Sequence, residues 1–342
     1  MRVTRESLIR LAKENAQERS FNDRSIIAAY LTGSLVLDAD PLLGGTTDID
    51  VVFVHGTPPA VPREIVKLSP DFHLDIRHRT KAEFKSPREL RADPVLGYEM
   101  YDPMLLSESE KFFEFIQAGL RAGVEFHAPN VILARCRKLL AEARRGWLDL
   151  SDITAEKAGA LQVRQFLRAV NRVGNAVAEL NGAPLAERRF LIEFPARAQA
   201  AERPDFTGSL FNLLGAGQVD AATISSWLPA WESDFLAAAQ DARVDQSIHA
   251  ARLNYYEKAV QALLATETPL TALWPLIHTW TLACGVLDAR PAASWHAAFE
   301  QLGLLGQTFD QRVSELDTFL DQVDLRLDEI AIASGVETSA NR

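Results

Sequence analysis

Apolar side chains at Leu8, Leu11 and Ala12, with Asn15 on the same side, have the spacing of one helical face and predict a first helix over residues 7–18. Short apolar runs then predict strands over 25–31, 49–55 and 72–78, with a short helix over 63–68 between the last two. Gly33-Ser34 turns the chain after the first strand, and Gly56-Thr57-Pro58-Pro59 closes the second. That order predicts a small mixed sheet with helices on one side. Asp93-Pro94 and Asp102-Pro103 punctuate an irregular stretch. Beyond it the period changes to 3.6 residues. Ser107 with Glu110 reads as a capping box that opens a helix to residue 122, and Asn130 as the cap of the next. In that next helix Ile132, Cys136, Leu139, Leu140, Ala143 and Trp147 share a face. A long helix over 154–180 ends at Asn181-Gly182, and further helices are expected over 221–242, 246–266, 270–287, 292–302 and 309–333. The fold class expected is α+β: a small mixed-sheet domain over 1–127, an all-α helical bundle over 128–336, and a frayed tail over 337–342.

A length of 342 residues suits two modules, and 47% hydrophobic with 24% charged residues is ordinary globular composition. The charged start, Met1-Arg2-Val3-Thr4-Arg5-Glu6, lacks a signal peptide's apolar stretch. The most apolar window, 269–287, has no formal charge but contains Pro275 and His278, and reads as a buried helix instead of a membrane span. Cys136 and Cys284 offer no framework of bridges, and with seven scattered histidines they show no zinc spacing. A cytoplasmic protein is expected. Residues 1–150 carry 21 basic and 22 acidic groups, a net of −1, whereas 151–342 carry 15 and 24, a net of −9. Nucleic-acid enzymes need a basic track along the phosphates, so an acidic second half argues against a nucleic-acid partner and favours a small, cationic acceptor.

The strongest chemical signal is Thr46-Thr47-Asp48-Ile49-Asp50-Val51-Val52-Phe53-Val54, followed by a lone aspartate in Phe72-His73-Leu74-Asp75-Ile76. Alternation along a strand puts Asp48 and Asp50 on one face while Ile49, Val51 and Phe53 face a core. Two adjacent carboxylates in so apolar a run repel each other unless a cation lies between them, and hard oxygen ligands suit Mg²⁺ or Mn²⁺. An adjacent strand would bring Asp75 beside them. Gly33 lets the backbone approach an anion closely and Ser34 adds a hydroxyl donor, which together suggest a phosphate cradle next to the metal clamp.

These residues resemble the active-site signature of the DNA polymerase β-like nucleotidyltransferase superfamily: an apolar residue and Gly-Ser, then Asp-x-Asp between apolar positions, then a separate carboxylate. Leu31, Gly33-Ser34, Asp48-Ile49-Asp50 and Asp75 fill those places, and Thr46-Thr47 stands where members carry small hydroxyl residues. The resemblance covers residues 26–80. It implies catalytic and metal-binding roles for Asp48, Asp50 and Asp75, nucleotide binding by Gly33, Ser34 and Thr47, an NTP such as ATP as substrate, and Mg²⁺ or Mn²⁺ as cofactor. A helical bundle after the catalytic sheet is similar to the layout of kanamycin and other aminoglycoside nucleotidyltransferases, which implies a small-molecule acceptor. Two other readings stay open on the sequence: a glycosyltransferase, which also uses Asp-x-Asp with a metal, and a nucleotide-binding or antitoxin-like module without turnover. Arg77, on the face of Asp75, is expected to meet it or a phosphate. Arg135, Lys138, Arg145, Arg164, Arg168 and Arg172 are further candidates for the triphosphate.

Overall fold

The computed structural model describes residues 4–37, 40–84, 86–122, 125–151, 153, 158–287 and 293–336. The chain divides into two compact units, Met1–Phe126 and His127–Arg342. The fold is α+β, a five-stranded mixed sheet in the first unit followed by helices.

Helix α1 (Arg5–Asn22) opens on Thr4, whose side chain accepts from the Ser7 amide. Its buried residues Leu8, Ala12 and Ala16 recur every fourth position, so one narrow stripe faces inward. The sheet it covers has the order β3-β4-β2-β1-β5, with strands β1 (Ile26–Thr32), β2 (Thr47–His55), β3 (Arg63–Lys67), β4 (Phe72–Thr80) and β5 (Met104–Glu108). Strands β2 and β4 run parallel, and every other pair is antiparallel.

Side-chain alternation divides the sheet into two faces. Ile49, Val51 and Phe53 of β2, with Leu74 and Ile76 of β4, pack against α1. Tyr30, Val52 and Val54 point the other way, onto Phe84, Leu90, Met100, Phe112, Phe113 and Leu120. Helices therefore lie on both faces, not on one. The stretch expected to be irregular supplies part of the second layer through α3 (Pro87–Arg91) and α4 (Leu96–Tyr101), and it also supplies β5.

Two further expectations are corrected in this unit. Residues 63–68 do not form a helix; residues 63–67 form β3, antiparallel to β4, because Ile65 and Val66 are β-branched and the neighbouring strand satisfies their backbone. Ser107 does not open a capping box, since it pairs with Ala29 across β5 and β1. Helix α5 (Phe112–Arg121) starts only after Lys111, at φ 53°, and the carboxylate of Glu108 accepts from the Phe113 amide. Sheet pairing outcompetes the local cap.

The second unit is helical over α6 (Pro129–Ser151), α7 (Ala160–Ala178), α8 (Phe190–Ala200), α9 (Asp205–Leu213), α10 (Ala221–Ala238), α11 (Leu253–Leu264), α12 (Leu273–Cys284), α13 (Ala293–Gln301) and α14 (Phe309–Ala333). Pro129, not Asn130, opens α6, and the Ala128 carbonyl accepts from Val131 and Ile132. Positions 154–157 of the long helix expected there, and the tail 337–342, lie outside the described residues; α7 itself begins after Gly159. Residues 246–252 form two 3₁₀ turns ahead of α11. Helices α8 and α9 escape the periodicity reading because Pro195 and Gly208 interrupt their patterns. In the core of this unit the indole of Trp280 donates to Asp234 at 2.7 Å and that of Trp231 to Thr279 at 3.0 Å. Both cysteines are free and buried. Among the described residues, no helix is long and apolar enough to cross a membrane.

Candidate active site

The parallel pairing of β2 with β4 sets Asp48 opposite His73 and Asp50 opposite Asp75. Period-two alternation then sends Asp48, Asp50 and Asp75 to the face turned away from α1. One ligand oxygen from each lies within 4.8 Å of the other two. Asp48 and Asp75 are only 6% and 2% exposed. Three carboxylates gathered this closely in a buried position call for cationic compensation.

Part of that compensation is a residue the sequence reading passed over. The guanidinium of Arg63, from edge strand β3, donates from Nε and Nη2 to the two oxygens of Asp75 at 2.7 and 2.5 Å. The alternating charges of Arg63, Glu64 and Lys67 around Ile65-Val66 were the available signal, obscured by the expectation of a helix there. Arg77, expected to meet Asp75 or a phosphate, donates to Glu99 at 2.9 Å, and the Asp75 charge acts on it more weakly. Glu99 also accepts from the Tyr30 hydroxyl at 3.0 Å and, more weakly, from Arg79 at 3.4 Å. Burial works against the charge of Arg77, but Glu99, and after it Asp50, hold the guanidinium firmly protonated. Burial, followed by the Glu99 charge, pushes the Tyr30 phenol well up. The carboxylates therefore adjoin a network of fixed donors.

Gly33 follows β1 with φ +74°. A Cβ at this position would lie 2.0 Å from Oδ2 of Asp50, so the backbone passes against the carboxylate where no side chain fits. Ser34 begins the one-turn helix α2 (Ser34–Leu37), and its hydroxyl lies 3.1 Å from that of Thr47. Thr46 and Thr47 are fully buried. The six residues expected in catalytic, metal or nucleotide roles, Gly33, Ser34, Thr47, Asp48, Asp50 and Asp75, thus come together around the start of β2.

Three of the arginines proposed from the second unit have acidic partners there. Arg135 is fully buried, 3.5 Å from Glu179, Arg164 pairs with Asp245 at 3.0 Å and Arg172 with Glu142 at 3.1 Å.

The donor set fits a small divalent ion. Around an octahedral Mg²⁺, adjacent oxygens stand roughly 3.0 Å apart and opposite ones roughly 4.2 Å, so three carboxylate oxygens within 4.8 Å of one another must close in on the ion to share it. Among the described residues this is the one group of three or more such side chains gathered so closely.

No family model matches the sequence. No curated protein matches it. A solved nucleotidyltransferase-like protein from Exiguobacterium sibiricum is similar over 96% of this chain and 92% of its own, with a TM-score of 0.30 and 9% identity.

Proposed function

We propose that this protein is a metal-dependent nucleotidyltransferase that moves a nucleoside monophosphate from an NTP, such as ATP, to a hydroxyl of a small acceptor. The register of β2 and β4 carries this reading, because it gathers Asp48, Asp50 and Asp75 beneath a glycine whose backbone touches Asp50. The three carboxylates would hold Mg²⁺ or Mn²⁺, which when bound would offset the charge of the triphosphate and of the reaction's transition state. Gly33 and Ser34 would hold the β- and γ-phosphates, with Thr47 orienting the Ser34 hydroxyl. Arg63 fixes the rotamer of Asp75. In the transfer the acceptor oxygen forms its bond to the α-phosphorus as the bond to the β-phosphate oxygen breaks. The acceptor's proton passes to a carboxylate and pyrophosphate leaves. The acidic balance of residues 151–342 supports an acceptor bearing positive charge, of the aminoglycoside kind.

The test is to incubate the protein with each NTP, Mg²⁺ and a panel of hydroxyl-bearing amines, and to measure pyrophosphate. Asp50→Asn is expected to lower turnover about a thousandfold while the protein stays folded, several kcal/mol of transition-state stabilisation being lost. A folded variant as fast as wild type would overturn the assignment. Release of a nucleoside diphosphate would point to glycosyl transfer, and binding of ATP with Mg²⁺ without any product to a module that lacks turnover.

A further inference from the structure

On the opposite face of the sheet a cleft of about 530 Å³ opens between α1, the ends of β1, β2 and β4, and the apolar Pro58-Pro59-Ala60-Val61 segment. Its lining includes two histidines, His55 buried and His78 half-buried. Nε2 of His55 lies 2.9 Å from Nδ1 of His78. The other nitrogen of each ring has an outer partner: Nε2 of His78 lies 2.8 Å from Glu64, and Nδ1 of His55 lies 2.9 Å from the Ser25 hydroxyl and 3.9 Å from Asp23. Glu64 is gripped in turn by Arg19 at 3.1 and 3.2 Å.

We propose that His55 and His78 bind one transition-metal ion of the Zn²⁺ class between Nε2 of the first and Nδ1 of the second, with water from the cleft completing its shell. Two imidazole nitrogens on a tetrahedral Zn²⁺, each at ~2.05 Å, stand about 3.3 Å apart. The facing nitrogens would part by a few tenths of an ångström while each ring, now aimed almost straight at the other with centroids 5.1 Å apart, tilts by about 35°. A metal-bound histidine donates its remaining N–H to a carboxylate, carbonyl or water, which fixes its tautomer. Glu64 is placed to receive that hydrogen from His78, and the Ser25 hydroxyl to receive it from His55, with the Asp23 charge nearby.

Tautomers describe the exchange. With both rings neutral and Glu64 accepting from Nε2–H of His78, Nδ1 of His78 is left to accept from Nε2–H of His55, and Nδ1 of His55 to accept from Ser25. On uptake the His55 proton moves from Nε2 to Nδ1, and the Ser25 hydroxyl turns to accept it. No proton is released while both rings are neutral. Imidazole ligands select Zn²⁺, Ni²⁺ or Cu²⁺, whereas the three aspartates on the other face suit Mg²⁺ or Mn²⁺. The inference is independent of the proposed activity. Sequence spacing concealed this pair, because His55 and His78 lie on different strands.

The test is titration of the full chain with Zn²⁺ by calorimetry and with Co²⁺ by visible absorption, in wild type and in an Asp48→Asn/Asp50→Asn variant that blanks the aspartate cluster. One Zn²⁺ per chain should remain in that variant. His55→Gln or His78→Gln should weaken it at least tenfold, and Glu64→Gln about tenfold with the stoichiometry kept. Because a buried histidine change can unfold the chain, ¹⁵N imidazole spectra of wild type give a second readout. Zn²⁺ should shift Nε2 of His55 and Nδ1 of His78 and leave Nδ1 of His55 protonated. Spectra unmoved by Zn²⁺, or undiminished binding in folded His→Gln variants, would overturn the proposal.

Discussion

Arg63 holds both carboxylate oxygens of Asp75, at 2.7 and 2.5 Å, while Asp75 lies directly across two parallel strands from Asp50. The third member of the acidic cluster thus carries its own counter-charge, supplied from the sheet edge. Arg63→Ala would leave a buried carboxylate beside two others. Breaking a buried pair is expensive, and the Arg63 side chain, 26% exposed, moderates the cost. A loss of about 2 kcal/mol is expected in urea unfolding, partly restored by Mg²⁺. Equal loss with and without Mg²⁺ would separate Arg63 from the cation site.

Gly33→Ala tests the close approach of the turn. Positive φ and a Cβ 2.0 Å from Oδ2 of Asp50 both oppose the substitution. Roughly 2 kcal/mol of stability should be lost, as for other strained backbone sites. Mn²⁺ affinity, read by electron paramagnetic resonance of the free ion, should fall with it. Unchanged Mn²⁺ binding would mean that the turn does not shape the site.

Much of this site was legible in the sequence. Asp48 and Asp50 sit in a run apolar enough that two charges there demanded an explanation, and alternation alone placed them on the face opposite Ile49, Val51 and Phe53. What escaped were features set by pairing across the chain. Residues 63–67 are as compatible with a helical turn as with a strand until β4 lies beside them, and Ser107 reads as a cap until β1 takes its backbone. The Arg63–Asp75 pair follows from the first of these, so it was hidden for the same reason. Arg77 was placed on the correct face, but its closest acidic partner, Glu99, comes from α4, and nothing in the local spacing signals that.

Arg135 and Glu179 form an ion pair whose two side chains are both fully buried, 3.5 Å apart. Arg135→Met alone should cost about 3–5 kcal/mol, because it breaks a fully buried ion pair. Adding Glu179→Leu should recover most of that loss. A double variant as unstable as the single one would show that packing, not charge, decides the cost.

His249 gives the second unit a pH dependence. Burial first, then the charge of Arg252, depresses the imidazole below its usual value, and its Nδ1 accepts from the Ala251 amide. The unfolded chain therefore takes up a proton more readily than the folded one, so this contribution is present above about pH 6.5 and is lost as pH falls below it. His249→Asn keeps an acceptor at the cap without titrating. Unfolding measured between pH 7.5 and 5 should show a shallower decline in that variant, and identical slopes would refute the assignment.

Because β4 skips past β3 to lie parallel to β2, Asp75 meets Arg63 within a local hairpin but reaches Asp50 only when that hairpin docks. Short-range contacts close before long-range ones. That order would bring Asp75 to Asp50 already paired with Arg63, and would complete the ion trap only with the finished sheet.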